Sequence, residues 1–345
     1  MDRISLFIKS AALTLIVVPL LWSLSLGRYE RAEHWLSNVY FAKEHRAAIT
    51  TEPKILIVSG SNSLFGFDSE TLERLVGRPV VNLAGHASLS LDFHINMALK
   101  YARAGDLIIM PLELGYYATT PDLTNWQVAN MSSWGSKYLD WSPRTLVRYF
   151  RRSSFTALLT RVLIRRIPTD SEEEVLAVVE ANSANGISDW HGYSYKSMNA
   201  RGDILLLSTP PATILDQSYT TGIVTDYSMQ RLQWLQARLV ERGASLQFTW
   251  PVTMRSPLFD LGREKDRLTV QLLKDRLTAA GLHVICDPEA FQYERRFFLE
   301  TANHVNAEAA ELRMEYLAAC IQNRPSDPSA AEIRYSERRR QRILR

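Results

Sequence analysis

Apolar positions follow three rhythms along this chain. From Ser10 to Leu26 no charge interrupts a run of Leu, Ile, Val and Ala, and the run reaches back to Ile4 if Lys9 carries its ammonium to the interface. Roughly 17 to 23 residues at about 1.5 Å each span a hydrocarbon core of about 30 Å. Trp22 near one end suits the interfacial belt. A cleaved signal peptide is the rival, because Arg3 and Lys9 precede the run, but Ser23-Leu24-Ser25-Leu26-Gly27 is a poor small-x-small cleavage site. A buried core helix is the third reading, disfavoured by Pro19 and the polar flanks. Residues 1–27 are thus expected to be a retained anchor, and 28–52 a polar amphipathic stalk helix.

The second rhythm begins at Lys54. Short β-branched runs at 54–59, 79–83 and 106–112 predict strands, and the segments 68–76 and 88–103 between them carry helical spacing. Asp68 or Ser69 is the expected cap of the first of these helices, and Gly77 its end. The alternation resumes with strands at 204–208, 245–250 and 282–286 and helices at 228–242, 264–280 and 306–323. Strand and helix at this pitch imply a parallel sheet covered by helices on both faces.

Residues 116–200 break that order and are expected to be a helical insertion or lid within a domain spanning 53–323. Tyr116, Tyr117, Trp126, Trp134, Tyr138 and Trp141 crowd its first part, either to stack on sugar rings or to pack within the lid. A basic amphipathic helix is expected from Pro143 to Ile167, either continuous or broken near Ser153, with an acidic helix at 171–181. The seven arginines of the basic helix either meet anionic lipid or a membrane partner, or form a solvated face. The tail, 324–345, is basic, and its last dozen residues are expected to be disordered.

Composition narrows the chemistry. Net charge is only +3, and no nucleic-acid-binding module accompanies the basic patches. Cys286 and Cys320 are too few for a disulfide framework or a zinc site; one bridge and two free thiols both stand. The seven histidines are scattered without metal-ligand spacing, so neither a metal nor a cofactor is expected.

Two segments carry candidate reactivity. Ser59-Gly60-Ser61-Asn62-Ser63 follows the first strand at the carboxyl edge of the sheet, where ligands gather in open α/β folds. A serine on such a turn faces the cleft, and nearby backbone N–H groups can hold an oxyanion. Far along the chain, Glu300-Thr301-Ala302-Asn303-His304 precedes the last helix, placing an acid and a histidine on one turn at the same edge. Glu300 can orient His304, which can take a proton from a serine brought near by the fold.

Taken together, ILIVSGSNSLFGFD, RPVVNLAG, AGDLIIMPLELGYY, NARGDILLL and HVICDPEAFQYERRFFLETANHVN resemble the SGNH (GDSL-type) hydrolases over about 53–321. The likeness is to the exported branch that serves alginate O-acetylation and D-alanine transfer to teichoic acids. It implies a three-layer α/β/α sandwich, Ser61 as nucleophile, His304 as base and Glu300 as the triad acid. It also implies oxyanion or substrate roles for Asn62, Asn82 and Gly85, and leaves Glu113 as a further site candidate. A cell-surface glycan as substrate, a membrane-bound O-acyltransferase as partner and a single-pass inner-membrane protein with an extracytoplasmic domain follow from the same likeness. Three departures stand out: Glu300 replaces the usual Asp, Ser59 replaces a glycine, and Pro111-Leu112-Glu113 occupies the place of a Gly-x-Asn-Asp block.

Overall fold

A computed structural model describes residues 3–25, 33–139, 142–153, 155–163, 170–187, 189–208, 213–219 and 224–324. In chain order its elements are α1 (Arg3–Ser25), α2 (Trp35–Ile49), β1 (Ile55–Ile57), α3 (Ser61–Leu64), α4 (Ser69–Val76), β2 (Val80–Asn82) and α5 (Leu91–Tyr101). Then come β3 (Leu107–Met110), α6 (Asn125–Ser132), α7 (Pro143–Arg152), α8 (Phe155–Leu163) and α9 (Glu172–Asn185). The last are α10 (Asp226–Glu241), β4 (Ser245–Phe248), β5 (Thr253–Met254), α11 (Glu264–Ala279), β6 (Gln292–Tyr293) and α12 (Ala307–Ile321). Residues 28–32 of the expected stalk, Trp141, Arg165, Arg166 and the tail from 325 lie outside the described residues.

Contacts divide the chain into two compact units: Met1–Ser37 with Asp122–Thr169, and Asn38–Pro121 with Asp170–Arg345. In the smaller unit, α1 is long and apolar enough to cross a membrane. It packs against α8, and Trp22 meets Phe150 of α7 at 5.1 Å between ring centroids. The expected basic helix is two helices, because the Ser153 N–H turns back to the carbonyls of Tyr149 and Phe150 and ends α7. The insertion expected over 116–200 is therefore split, with 122–169 in the smaller unit and 170–200 in the larger.

The larger unit is mixed α/β around a four-stranded parallel sheet of order β2-β1-β3-β4. Ile55 pairs with Val80 on one side and Leu107 on the other, and Leu107 pairs in turn with Ser245. Alternate strand residues Ile55, Ile57, Leu107 and Ile109 join Phe67, Leu72, Met314 and Leu317 in one core, so α4 and α12 cover that face. Asp68 caps α4 by accepting from the Thr71 N–H, and Gly77 closes it in the left-handed region at φ 68°. At the amino edge, buried Lys54 Nζ donates to Asp106 at 3.0 Å, and Asp106 also accepts the Lys54 and Arg103 amides. The polar end of the sheet is thus closed opposite the edge where β1 delivers Ser61.

Three sequence expectations change. The predicted strand at 204–208 does not form: the Ile204 N–H donates to Leu64 O and Leu206 O accepts from Ala307. Its backbone bonds go to helix ends rather than to a ladder. The predicted strand at 282–286 is reduced to one parallel bridge between Val284 and Phe248, because Cys286 at φ 65° turns the chain away. The described part of the stalk is a helix built into the fold, with Tyr40 and Lys43 fully buried. Lys43 Nζ donates to Asn82 O at 2.8 Å and Gly202 O at 2.5 Å. Cys286 and Cys320 form a disulfide, which joins the end of that bridged segment to α12.

Burial lowers the Lys43 ammonium to about 7, against the opposing charge of Asp203. From about 7 to the ordinary 10.5, the unfolded chain holds a proton that the folded chain has released. Stability therefore rises with pH across that window. Urea titrations of the full chain in detergent should show this rise, and Lys43→Met should flatten it.

Candidate active site

Ser61 is held by a turn gripped from both sides. Ser59, at the end of β1, donates its hydroxyl to Pro111 O at 2.6 Å. The Glu113 carboxylate then lies along the turn, accepting the Gly60 N–H at 3.2 Å and the Asn62 N–H at 3.1 Å. A side chain at position 60 would collide with that carboxylate, which explains the glycine. Ser61 opens α3, and its carbonyl accepts from Phe65 at 3.1 Å. Asn62 Nδ2 donates to Ser59 Oγ at 3.0 Å and Pro111 O at 3.1 Å.

Arg313, fully buried on α12, grips the other side. Its Nη1 donates to Asn62 O at 3.0 Å and Gly66 O at 2.9 Å, and its Nη2 to Asn62 Oδ1 at 3.1 Å and Trp250 O at 3.3 Å. The guanidinium lies 4.7 Å from the Phe67 ring centroid. Burial lowers it to about 10, with Tyr293 and Glu113 acting in the opposite sense, so it stays charged at neutral pH. Its Nε makes no hydrogen bond and is the one donor left bare.

Glu300 and His304 meet as a pair. His304 Nδ1 and Glu300 Oε1 lie 2.6 Å apart, a hydrogen bond in which an Nδ1–H would donate to the carboxylate and leave Nε2 turned to other partners. Tyr193 donates its hydroxyl to the same Oε1 at 2.7 Å. Burial pushes the Glu300 carboxyl up, but the hydrogen bond and charge of His304, with the Tyr193 hydroxyl, outweigh it and hold the group below its usual range. Burial and the bond to Glu300 push the Tyr193 phenol up. The imidazole is only 5% exposed and stacks on Phe65 at 4.2 Å with 15° between planes. Phe65 in turn meets Tyr193 at 5.6 Å and Trp190 at 6.0 Å. The His304 ring is therefore seated on the residue that ends the Ser61 helix.

The remaining candidates serve the frame. Asn82 Nδ2 donates to Ser63 O and Asp203 Oδ1, both at 2.8 Å, and its Oδ1 accepts the Ala84 N–H at 2.9 Å. The Gly85 N–H donates to Ser59 O at 3.0 Å, and Tyr40 packs where a Gly85 side chain would stand. Asn62 is spent on Ser59, Pro111 and Arg313. Glu113 takes the amides at positions 60 and 62 and leaves that of Ser61 between them. No hydrogen bond joins Ser61 Oγ to the His304 ring, whose partner among the described residues is Glu300.

Sequence reasoning did not find Tyr193, Trp190, Phe65 or Arg313. Arg313 left a trace, since a charge within the largely apolar stretch LRMEYLAACI of α12 demands a buried partner; Tyr193 in an irregular loop left none. Of the aromatic residues in the 116–141 cluster, Tyr116 and Tyr117 are buried in the larger unit, and Trp126, Trp134 and Tyr138 belong to the smaller one. Among the described residues no group of three or more His, Cys, Asp and Glu converges on a metal position.

No family model matches the chain, and no curated protein matches it.

Arg313→Met should cost about 3 kcal/mol or more, because it strips several buried carbonyl oxygens of their donor. A drop in the urea midpoint of the full chain with an unchanged slope checks this.

Proposed function

We propose that the chain is a membrane-anchored serine esterase or O-acyltransferase of the SGNH type, acting on acyl groups, acetyl foremost, of an envelope polysaccharide. The observation that carries this reading is the Glu300–His304 hydrogen bond, with the imidazole seated on Phe65, on the turn that presents Ser61. The sheet with α4 and α12 on one face, and α5 packed with α10 in the same unit, is read as the three-layer sandwich of that superfamily. The anchor is α1, and the Cys286–Cys320 disulfide suits an extracytoplasmic, oxidising compartment. A multi-pass acyl-donating membrane protein is the partner this scheme needs.

In that chemistry Ser61 Oγ attacks the acyl carbonyl while His304 Nε2 takes its proton. Glu300 stabilises the imidazolium, and the Ser61 N–H faces the developing oxyanion. His304 then returns the proton to the leaving alkoxide. A sugar hydroxyl resolves the acyl-enzyme in transfer, and water does so in hydrolysis. Tyr193 steadies the carboxylate, whose extra methylene gives it more freedom than an aspartate has. Trp190 and Tyr193 flank the base as an aromatic wall of the kind that stacks on sugar rings.

A second reading, a catalytically silent scaffold in an envelope-polymer complex, rests on one observation. Asn62, Asn82 and the Gly85 amide are all engaged within the frame, which leaves few donors for an oxyanion.

Fluorophosphonate labelling of the full chain separates the two. Enzyme activity requires labelling that vanishes in Ser61→Ala and His304→Ala. Glu300→Gln should slow it by about 10²- to 10⁴-fold, and Tyr193→Phe by about 3- to 10-fold, the net worth of one ordinary hydrogen bond. A folded parent that resists the probe, alone and beside its membrane partner, supports the scaffold.

A further inference from the structure

The smaller unit carries a surface that the reaction does not use. In the second half of α1, Val17, Val18, Leu21 and Trp22 are shielded, whereas Leu20 and Leu24 on the same turns stand exposed. The shielding comes from α8, which packs along α1, and from Phe150 of α7, which meets Trp22. A helix packed against a membrane-spanning helix shares the solvent of that helix. On α8, Leu159 is 43% exposed and Leu163 76% exposed. Facing water, these leucines would form an apolar patch continuous with the anchor; facing acyl chains, they are at home.

The charge on α7 fits the same boundary. Arg144, Arg151 and Arg152 are exposed, and no Asp or Glu occurs from 142 to 169. Arg151 and Arg152 close the last turn of α7 just after Phe150, the residue that meets Trp22 near the end of α1, where an interfacial tryptophan belongs. Guanidinium groups at that depth meet phosphates of anionic headgroups.

We infer that α7 and α8 form a lipid-docking surface: α8 lies in the acyl region of one leaflet against α1, and the α7 arginines bind its anionic headgroups. This holds whether or not Ser61 is a nucleophile. It converts a single tether into an anchor with a second, composition-sensitive contact.

The test uses the full-length chain in nanodiscs carrying Leu163→Cys or, as a water-facing control on the larger unit, Leu272→Cys. Cys286 and Cys320 are joined to each other, so the introduced thiol takes the fluorophore. The emission at 163 should be lost when the acyl chains carry bromine and should resist aqueous iodide, with the reverse at 272. Adding phosphatidylglycerol to phosphatidylcholine should deepen the lipid quenching at 163. The triple variant Arg144→Gln, Arg151→Gln, Arg152→Gln should abolish that increment with helical content unchanged by circular dichroism. Iodide quenching at 163 equal to that at 272 overturns the proposal. Protection from both quenchers also overturns it, since protein would then cover α8. Lipid quenching indifferent to phosphatidylglycerol overturns the headgroup assignment.

Discussion

A guanidinium with no exposed atom sits where the carboxyl edge of the sheet meets the last helix, and its need for acceptors organises what surrounds it. Taking an arginine out of water is costly unless its donors are used. Arg313 uses four hydrogen bonds, to Asn62 O, Gly66 O, Asn62 Oδ1 and Trp250 O. Three of those acceptors lie on the turn that carries Ser61 and the fourth follows β4. The charge can be buried only if α12, the Ser61 turn and the strand end arrive together. The loop from Glu300 to His304 leads into α12, so the position of the His304 ring follows from the same requirement.

Glu113 answers Arg313 from the opposite side of the turn. Its carboxylate takes two backbone N–H groups that neighbour Ser61, and Ser59 and Asn62 lock onto Pro111 beside it. The turn is therefore fixed by a carboxylate at its amide N–H groups and a guanidinium at its carbonyls, in keeping with the local backbone dipoles. The gain is a rigid serine; the consequence is that most polar groups nearby are already engaged. Both functional readings start from this fact. In one, rigidity is preorganisation for attack; in the other, the frame has absorbed the donors that catalysis would need.

Legibility from sequence followed the range of the interactions. The strands 55–57, 80–82, 107–110 and 245–248 and the helices between them were visible because burial imposes a local period, and Asp68 and Gly77 because caps are local chemistry. The Glu300–His304 spacing was readable for the same reason, four residues on one turn. Tyr193 was not, since its bond to Glu300 spans 107 residues and its loop has no period. Nor was the segment 204–208, apolar like a strand, whose partners turned out to be helix ends. The helix at 35–49 was misjudged as a stalk because its polar residues read as solvated, whereas Lys43 spends its charge on carbonyls inside the fold.

The close approach of Glu113 to Gly60 has an evolutionary corollary. With a carboxylate pressed against position 60, a larger residue there would have to push the Glu113 carboxylate off its two amides, and a shorter residue at 113 would strand the amides of Gly60 and Asn62. The two sites, 53 positions apart in the chain, are thus one heritable unit. A change at either site therefore acts on the other, and through it on the geometry around Ser61.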